Sequence, residues 1–447
     1  MKKSYIIIIS LLLLIVLGLA IYLNLNQPEV SPPVLQETPV PTATIEPTQN
    51  PTPTPTPTPV PEIKISIISC GDIMYHGPQL RSALNEETGE YNFMENFKYI
   101  KDIVSKADYA VANLETTLAG SDNGYKYSGH PAFNSPDAVL DSIKDAGFDM
   151  LLLSNNHIYD TRRVGMERTL MKTMEYGFDT LGLKGEGVQS YYVKDINGVK
   201  IGFLNYGYES ADYRKDDGKY INGIFAKNED ARLIDTFNYS MKDEFYNEVE
   251  ERVAQLKLDG ADLIILYIHW GNEYQLKENS HQREIARKMC ELGVDVIFGS
   301  HPHVIQPSEI ITDENTGKRT ICFYSLGNFI SNQNRVTLKA PSVPLSEYTE
   351  NGVLVWLDIT KLPSGETFVS KIELVPTWVH RFFKEGRTRY EVVPLPMAYE
   401  KPESFGLEQS TFGSDHSKVS YERTVAALSE AVEAYNEWIG SSSPVAA

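Results

Sequence analysis

The chain has 447 residues, and its 41 Lys+Arg against 60 Asp+Glu give a formal net charge of −19. That balance argues against a non-specific nucleic-acid binder, because phosphate binding needs a basic footprint. Three cysteines cannot build a disulfide framework; Cys70, Cys290 and Cys322 each sit in or beside an apolar run, where a small buried hydrophobe belongs.

The N-terminus sets the expected address. After residues 1–4, with Lys2 and Lys3, an uncharged apolar run covers 5–23, Tyr5 to Leu23. It has the roughly 20 residues a membrane-crossing helix needs. The basic flank places the start of the chain in the cytoplasm and the rest outside. A cleaved signal peptide is the alternative, but its apolar core is normally shorter and ends in a small-residue cleavage site. The expectation is a single-pass bacterial cell-membrane protein with its main domain extracytoplasmic.

Residues 24–61 are Pro/Thr-rich and end in alternating Pro and Thr. Such a segment cannot bury a core and prefers extended polyproline II. At about 3.1 Å per residue it reaches on the order of 100 Å, enough to act as a stalk.

From Glu62 apolar runs alternate with helical spacing. Strands are predicted at Ile63–Ser69, Tyr109–Ala112, Met150–Leu153, Val199–Leu204, Leu263–Ile268, Val294–Phe298 and Thr320–Tyr324. Helices are predicted over 92–105, 136–146 and 283–292, the last stopped by Gly293. Alternation of this kind predicts an α/β fold with a largely central sheet.

Five of the strands run into polar chemistry. Asp72 follows the first, Asn113-Leu114-Glu115 the second, and Asn155-Asn156-His157 with Asp160 the third; His269-Trp270 and His301-Pro302-His303 follow two later ones. In open α/β sheets the ligand crevice lies outside the carboxyl ends of the strands. Each motif alone is also a plain turn or cap. Together, carboxylates, an amide and imidazoles in that position point to a divalent metal site, and Mn, Fe or Zn suits such donors. His301 and His303, two apart, are expected to point to one side of an extended segment.

The blocks Gly71–Met74, Asn113–Glu115, Asn155–Asp160, His269–Tyr274, Gly299–Gln306 and Ser325–Phe329 resemble, in order, those of the CapA-type poly-γ-glutamate capsule synthesis family, a branch of the calcineurin-like metallophosphoesterases. The resemblance implies a four-layered α/β/β/α sandwich over 62–380 with two divalent metal ions. It implies Asp72 and His303 as ligands of one metal, Asn156, His269 and His301 as ligands of the other, and Glu115 as the bridge. It implies His157 as the proton donor to a leaving oxygen, with Asp160 orienting it as the second catalytic residue. Asn328 is expected to line the substrate cleft, and Glu273 to support a ligand imidazole. The expected partners are an anionic capsule polymer or its precursor, a membrane synthase or export complex and the membrane itself; nucleic acid is not among them.

Two positions depart from the superfamily pattern. Met74 stands where a ligand His is usual, with His76 the nearest replacement, and Glu115 stands where Asp is usual. Both departures leave a non-catalytic, polymer- or synthase-binding role as the alternative to hydrolysis. The tail, 381–447, shows few strand signals; Tyr421, Val425, Leu428, Val432 and Tyr435 predict an amphipathic helix closed by Gly440.

Overall fold

In the first strand, Ile63–Ile73, alternate side chains face opposite ways. Ile65 and Ile67 enter one apolar cluster, and Ile68 and Cys70 enter another. The strand Leu263–His269 does the same: Ile265 and Tyr267 join the first of those clusters, while Ile264, Leu266 and Ile268 join a third. The shared cluster is the seam between two sheets packed face to face. The structure, a computed structural model, describes residues 61–122, 124–338 and 345–442. They belong to one compact unit. The expected cytoplasmic start, the anchor over 5–23 and all of the stalk but its last residue lie outside the described residues. Among the described residues no helix is long and apolar enough to cross a membrane.

The first sheet has eight strands, ordered Arg387–Pro394, Thr367–Lys384, Asn351–Lys361, Ile63–Ile73, Tyr109–Leu114, Met150–Leu152 and Asp179–Leu181, with Asn328–Ile330 also paired to Ile63–Ile73. The second has seven, ordered Ile305–Thr312, Arg319–Leu326, Val296–Ser300, Leu263–His269, Val199–Tyr208 and Tyr192–Ile196, with Thr236–Phe237 on Val199–Tyr208. The chain is therefore a mixed α/β protein with two large sheets rather than one central sheet. Helices Ala138–Asp145 and Arg162–Glu175 cover the outer face of the first sheet through Val139, Leu140, Ile143, Met166 and Leu170. Helices Lys242–Leu258 and Ser280–Leu292 cover that of the second through Val249, Val253, Ile285 and Met289.

The seven predicted strands are all present. The helix expected over 92–105 is instead a 3-10 turn, Met94–Phe97, and a single turn, Lys101–Val104. The helix before Gly293 starts earlier than predicted. Asn279 caps it, accepting from the backbone N–H of Gln282, whose side chain accepts in turn from the N–H of Asn279. Gly293 ends it in the left-handed conformation, φ 97°.

The expected boundary at 380/381 falls inside the strand Thr367–Lys384, and Arg387–Pro394 then forms the sheet edge. Each of those strands is continuously buried over five residues only, Pro376–His380 and Tyr390–Pro394, and those stretches include Pro, Thr, His and Glu, so they lack the continuous apolar run of the parallel strands. The tail helix spans Gly413–Ser442 and passes through Gly440 without stopping. Leu428, Val432, Tyr435 and Ile439 complete the cluster between the two sheets. Tyr421 packs on Tyr399 instead, ring centroids 5.7 Å apart. The C-terminal segment is thus part of the same core. All three cysteines are free and buried, as expected.

Candidate metal centre

The parallel pairing of Ile63–Ile73 with Tyr109–Leu114, and of that strand with Met150–Leu152, brings three strand ends together on the first sheet. Parallel pairing of Leu263–His269 with Val296–Ser300 does so on the second. Asp72, Glu115 and Asn156 come from the first set, and His269, His301 and His303 from the second. All six are buried.

The contacts between the sets are direct. His303 Nδ1 lies 3.0 Å from Asp72 Oδ2, and His269 Nε2 lies 2.7 Å from Asn156 Oδ1. His269 Nε2 is 3.4 Å, and His303 Nε2 3.8 Å, from Glu115 Oε1. Among the described residues, two three-residue groups have donor atoms within 4.8 Å of one another: Asp72, Glu115 and His269, and Glu115, His301 and His303. Glu115 is common to both. His301 and His303 share a group, whereas the resemblance divides them between two metals.

Backbone geometry sets this convergence. The N–H of Asp72 donates to Gly327 O at 3.0 Å, so the two loops touch. A Cβ on Gly71 would lie 1.9 Å from that same carbonyl oxygen, which is why glycine precedes Asp72. His301 and His303 have φ of 95° and 57°. They are left-handed, not extended as predicted, and each such non-glycine residue costs on the order of 1–3 kcal/mol that the surroundings must offset. The turn aims both rings inward, with centroids 5.8 Å apart.

The electrostatics are unbalanced. Burial and the neighbouring Asp72 charge push the Glu115 carboxyl well above the usual carboxylate range. Burial pushes Asp72 up as well, but the hydrogen bond and charge of His303 outweigh it and hold Asp72 below its ordinary value. Burial drives His269 down to about 3 and His301 well below the ordinary imidazole value, so both rings are neutral donors. For His303 the Asp72 contact overcomes burial and raises it. Glu115 Oε1 and His301 Nδ1 are buried with no hydrogen-bond partner. Buried polar groups are nearly always satisfied, and buried charges are paired or coordinate metals. The residues present therefore fit a divalent cation.

The supporting residues differ in part from those expected. His269 Nδ1 pairs with the Ser300 hydroxyl at 2.8 Å, whereas Glu273 is exposed. Asn328, expected to line the cleft, is fully buried; its amide donates to His303 O at 3.2 Å, Gln333 Oε1 at 3.0 Å and Thr349 O at 3.0 Å. Its Nδ2 holds the His303 turn, while its Oδ1 is buried with no hydrogen-bond partner. His76 does not replace the missing ligand at Met74. It belongs to neither donor group, and its Nδ1 faces the N–H of Asn332 at 3.5 Å. Met74 is itself buried.

Asn113 stands in the Asn113–Glu115 motif, but its role was not assigned from the sequence. Its Nδ2 donates to Asp72 Oδ1 at 2.8 Å and its Oδ1 accepts from Asn155 at 3.2 Å, so it orients one carboxylate against the next loop. Its place opposite Asp72 is set by strand register, which the sequence does not display. Tyr208 was also missed; its ring packs 4.7 Å from that of His301.

His157 and Asp160 sit beside the donor groups. His157 Nδ1 is 2.7 Å from Asp160 Oδ2, which also accepts from the N–H of Phe133 at 2.7 Å. The Phe133 ring meets His157 edge-on, centroids 4.6 Å apart. The imidazole is thereby fixed, with Nδ1 committed to Asp160.

Comparison with known proteins agrees with these motifs. Residues 66–333, more than half of the chain, match the family model for the bacterial capsule synthesis protein PGA_cap. The capsule biosynthesis protein CapA of Bacillus anthracis is 28% identical over 304 residues, 67% of this chain and 67% of that protein. The PGA biosynthesis protein CapA of Bacillus subtilis (strain 168) is 27% identical over 259 residues, 57% of this chain and 62% of that protein. A Staphylococcus aureus chain solved with alpha-ketoglutarate and described as a candidate 5'-nucleotidase superimposes with a TM-score of 0.42 and 12% identity, over 70% of this chain and 54% of its own. At that score the likeness carries no functional argument. The six motif blocks lie within the matched region, and the chain belongs to the bacterial capsule synthesis protein PGA_cap family.

Proposed function

We propose that this protein is a metal-dependent, phosphoesterase-like hydrolase of bacterial capsule synthesis, built on the sandwich of the metallophosphoesterases. It is held outside the cell membrane by its N-terminal segment and acts on an anionic capsule polymer or its precursor beside a membrane synthase. The observation that carries the metal-dependent part is Glu115. Its Oε1 is buried without a hydrogen-bond partner and belongs to both donor groups, as a carboxylate shared by two cations would.

In this reading Asp72, Glu115, Asn156, His269, His301 and His303 hold two divalent ions, Mn, Fe or Zn. Bound there, such ions polarise a phosphoryl oxygen and make water a stronger nucleophile. The rest is done by side chains. Asn113 and Ser300 fix the orientation of Asp72 and His269. The Tyr208 ring packs against that of His301 and limits its movement. Asp160 keeps a proton on His157 Nδ1, and protonated His157 delivers the proton on Nε2 to the leaving oxygen.

The buried, ligandless Met74 favours a second reading, a protein that binds the polymer or synthase without turnover. In that reading polymer binding still needs the cations, because a chain of net charge −19 repels a polyanion. The test purifies the full chain, measures bound metal and assays phosphate mono- and diesters beside Asp72→Ala and His157→Ala. Hydrolysis lost in both variants supports the enzyme. Metal retained with no turnover, together with a capsule defect rescued by His157→Ala, supports the second reading.

A further inference from the structure

The strands Gly218–Ile221 and Ile224–Lys227 form a hairpin that belongs to neither large sheet. Its turn is Asn222-Gly223, with φ of 49° and 71°. Two left-handed residues in sequence are what a tight type I′ turn needs, and Asn-Gly meets that need on backbone grounds alone. The Asn222 side chain goes further. Its Nδ2 donates to Asp160 Oδ1 at 3.1 Å and lies 3.3 Å from His157 Nδ1.

Both oxygens of Asp160 are then engaged. Oδ2 holds His157 Nδ1 and the N–H of Phe133, and Oδ1 takes the Asn222 amide. Three segments meet on one imidazole–carboxylate pair: its own turn, the Phe133 loop and a hairpin tip 62 residues beyond Asp160. Without the amide the carboxylate is held through Oδ2 alone, by the Phe133 N–H and His157 itself, and its plane can turn about that oxygen. The hairpin is tied down at its base, where Lys219 Nζ donates to Ile234 O at 3.1 Å, so the tip is held rather than loose.

We propose that Asn222 is a positioning residue. It locks the Asp160 carboxylate against His157, so that the ring keeps its proton on Nδ1 and presents Nε2 to the cleft. The consequence for catalysis rests on the hydrolytic reading above; the lock itself does not.

Two substitutions separate the amide from the turn. Asn222→Gly keeps the left-handed backbone and deletes the side chain. Asn222→Asp keeps the shape but replaces the donor with an acceptor facing Asp160. The full chain loaded with Mn²⁺ is assayed on phenyl phosphate, whose leaving group needs a proton, and on 4-nitrophenyl phosphate, whose leaving group does not. The expected loss in kcat on phenyl phosphate is about 10- to 100-fold for Asn222→Gly and greater for Asn222→Asp, within the range of general-acid effects. With 4-nitrophenyl phosphate the loss is at least about tenfold smaller, and KM and metal content stay as in the unaltered chain. Equal losses on both esters, or an Asp variant as active as the unaltered chain, overturn the proposal.

A second measurement does not depend on turnover. In the Zn²⁺-loaded, ¹⁵N-histidine-labelled full chain, His157 is expected to show a single Nδ1–H state, assigned by its absence in His157→Gln. Both Asn222 variants are expected to lose that single state. An unchanged His157 signal in both variants overturns the lock. No hydrolysis of either ester by the unaltered chain, with the expected change at His157, leaves the lock standing and removes the hydrolytic reading.

Discussion

His303 and Asp72 stand 231 residues apart in the chain, yet His303 Nδ1 lies 3.0 Å from Asp72 Oδ2. One comes from the second sheet's loop and the other from the central strand of the first, so this contact joins the two sheets at the candidate metal centre. The contact needs Gly71. A Cβ there would stand 1.9 Å from Gly327 O, which is backbone and cannot rotate away. Gly71→Ala is therefore expected to cost about 1–3 kcal/mol or more, as overpacking in a rigid core does. Urea denaturation checks the stability, and bound metal should fall in the same variant because Asp72 moves.

Glu115→Gln should have opposite effects on the metal-free and metal-loaded chain. Burial and Asp72 hold the Glu115 carboxyl far above its ordinary range, so its ionised form destabilises the metal-free fold near neutral pH. The neutral amide removes that penalty, and the melting temperature in EDTA should rise. The same change removes the donor shared by both groups, so metal content should fall. Thermal melts in EDTA and in Mn²⁺ measure the two signs.

His380 gives a pH dependence away from the metal centre. It is fully buried, neither ring nitrogen has a hydrogen-bond partner, and burial lowers it to about 4. The folded value lies below the ordinary one, near 6.5, so acid protonates the unfolded chain first. The contribution is fully present above about pH 6.5 and is lost as the pH falls toward about 4, by at most roughly 3 kcal/mol. Trp378 and Phe382 stack on the ring at 5.3 and 4.5 Å, so phenylalanine fits the site. His380→Phe should flatten the stability profile between pH 6.5 and 4, as read by urea midpoints.

The C-terminal helix is predicted to be indispensable. Leu428 is fully buried between the sheets. Leu428→Ala should destabilise the protein by about 2–5 kcal/mol. A chain ended at 380 should not fold, since it cuts a strand and uncovers that core; loss of cooperative unfolding is the measurement.

These outcomes also mark what the amino-acid sequence displays and what it hides. Buried parallel strands such as Leu263–His269 are continuous apolar runs, so they stand out, and so do the polar residues that end them. Asp72, Glu115, Asn156, His269, His301 and His303 were all readable in that way, as was the pairing of His157 with Asp160. Strands such as Thr367–Lys384 are only half buried and contain Pro376, so their pattern is diluted and the domain boundary was misplaced. Side-chain roles set by long-range register stay hidden. Asn328 reads as a turn beside a cleft, yet its amide nitrogen is shared among three acceptors, His303 O, Gln333 Oε1 and Thr349 O. Ser300, not Glu273, supports His269, because only the pairing of two strands puts that hydroxyl there. Nothing near Asn222 in sequence points to Asp160.

The most direct test of the account is the metal content of the purified full chain after exposure to Mn²⁺ or Zn²⁺ and removal of free ions. The account predicts about two equivalents bound, as two donor groups sharing one carboxylate would hold. It predicts a higher melting temperature than in EDTA and sharp loss of metal in Glu115→Gln. A chain that retains no divalent ion and melts at the same temperature with and without it would contradict the account.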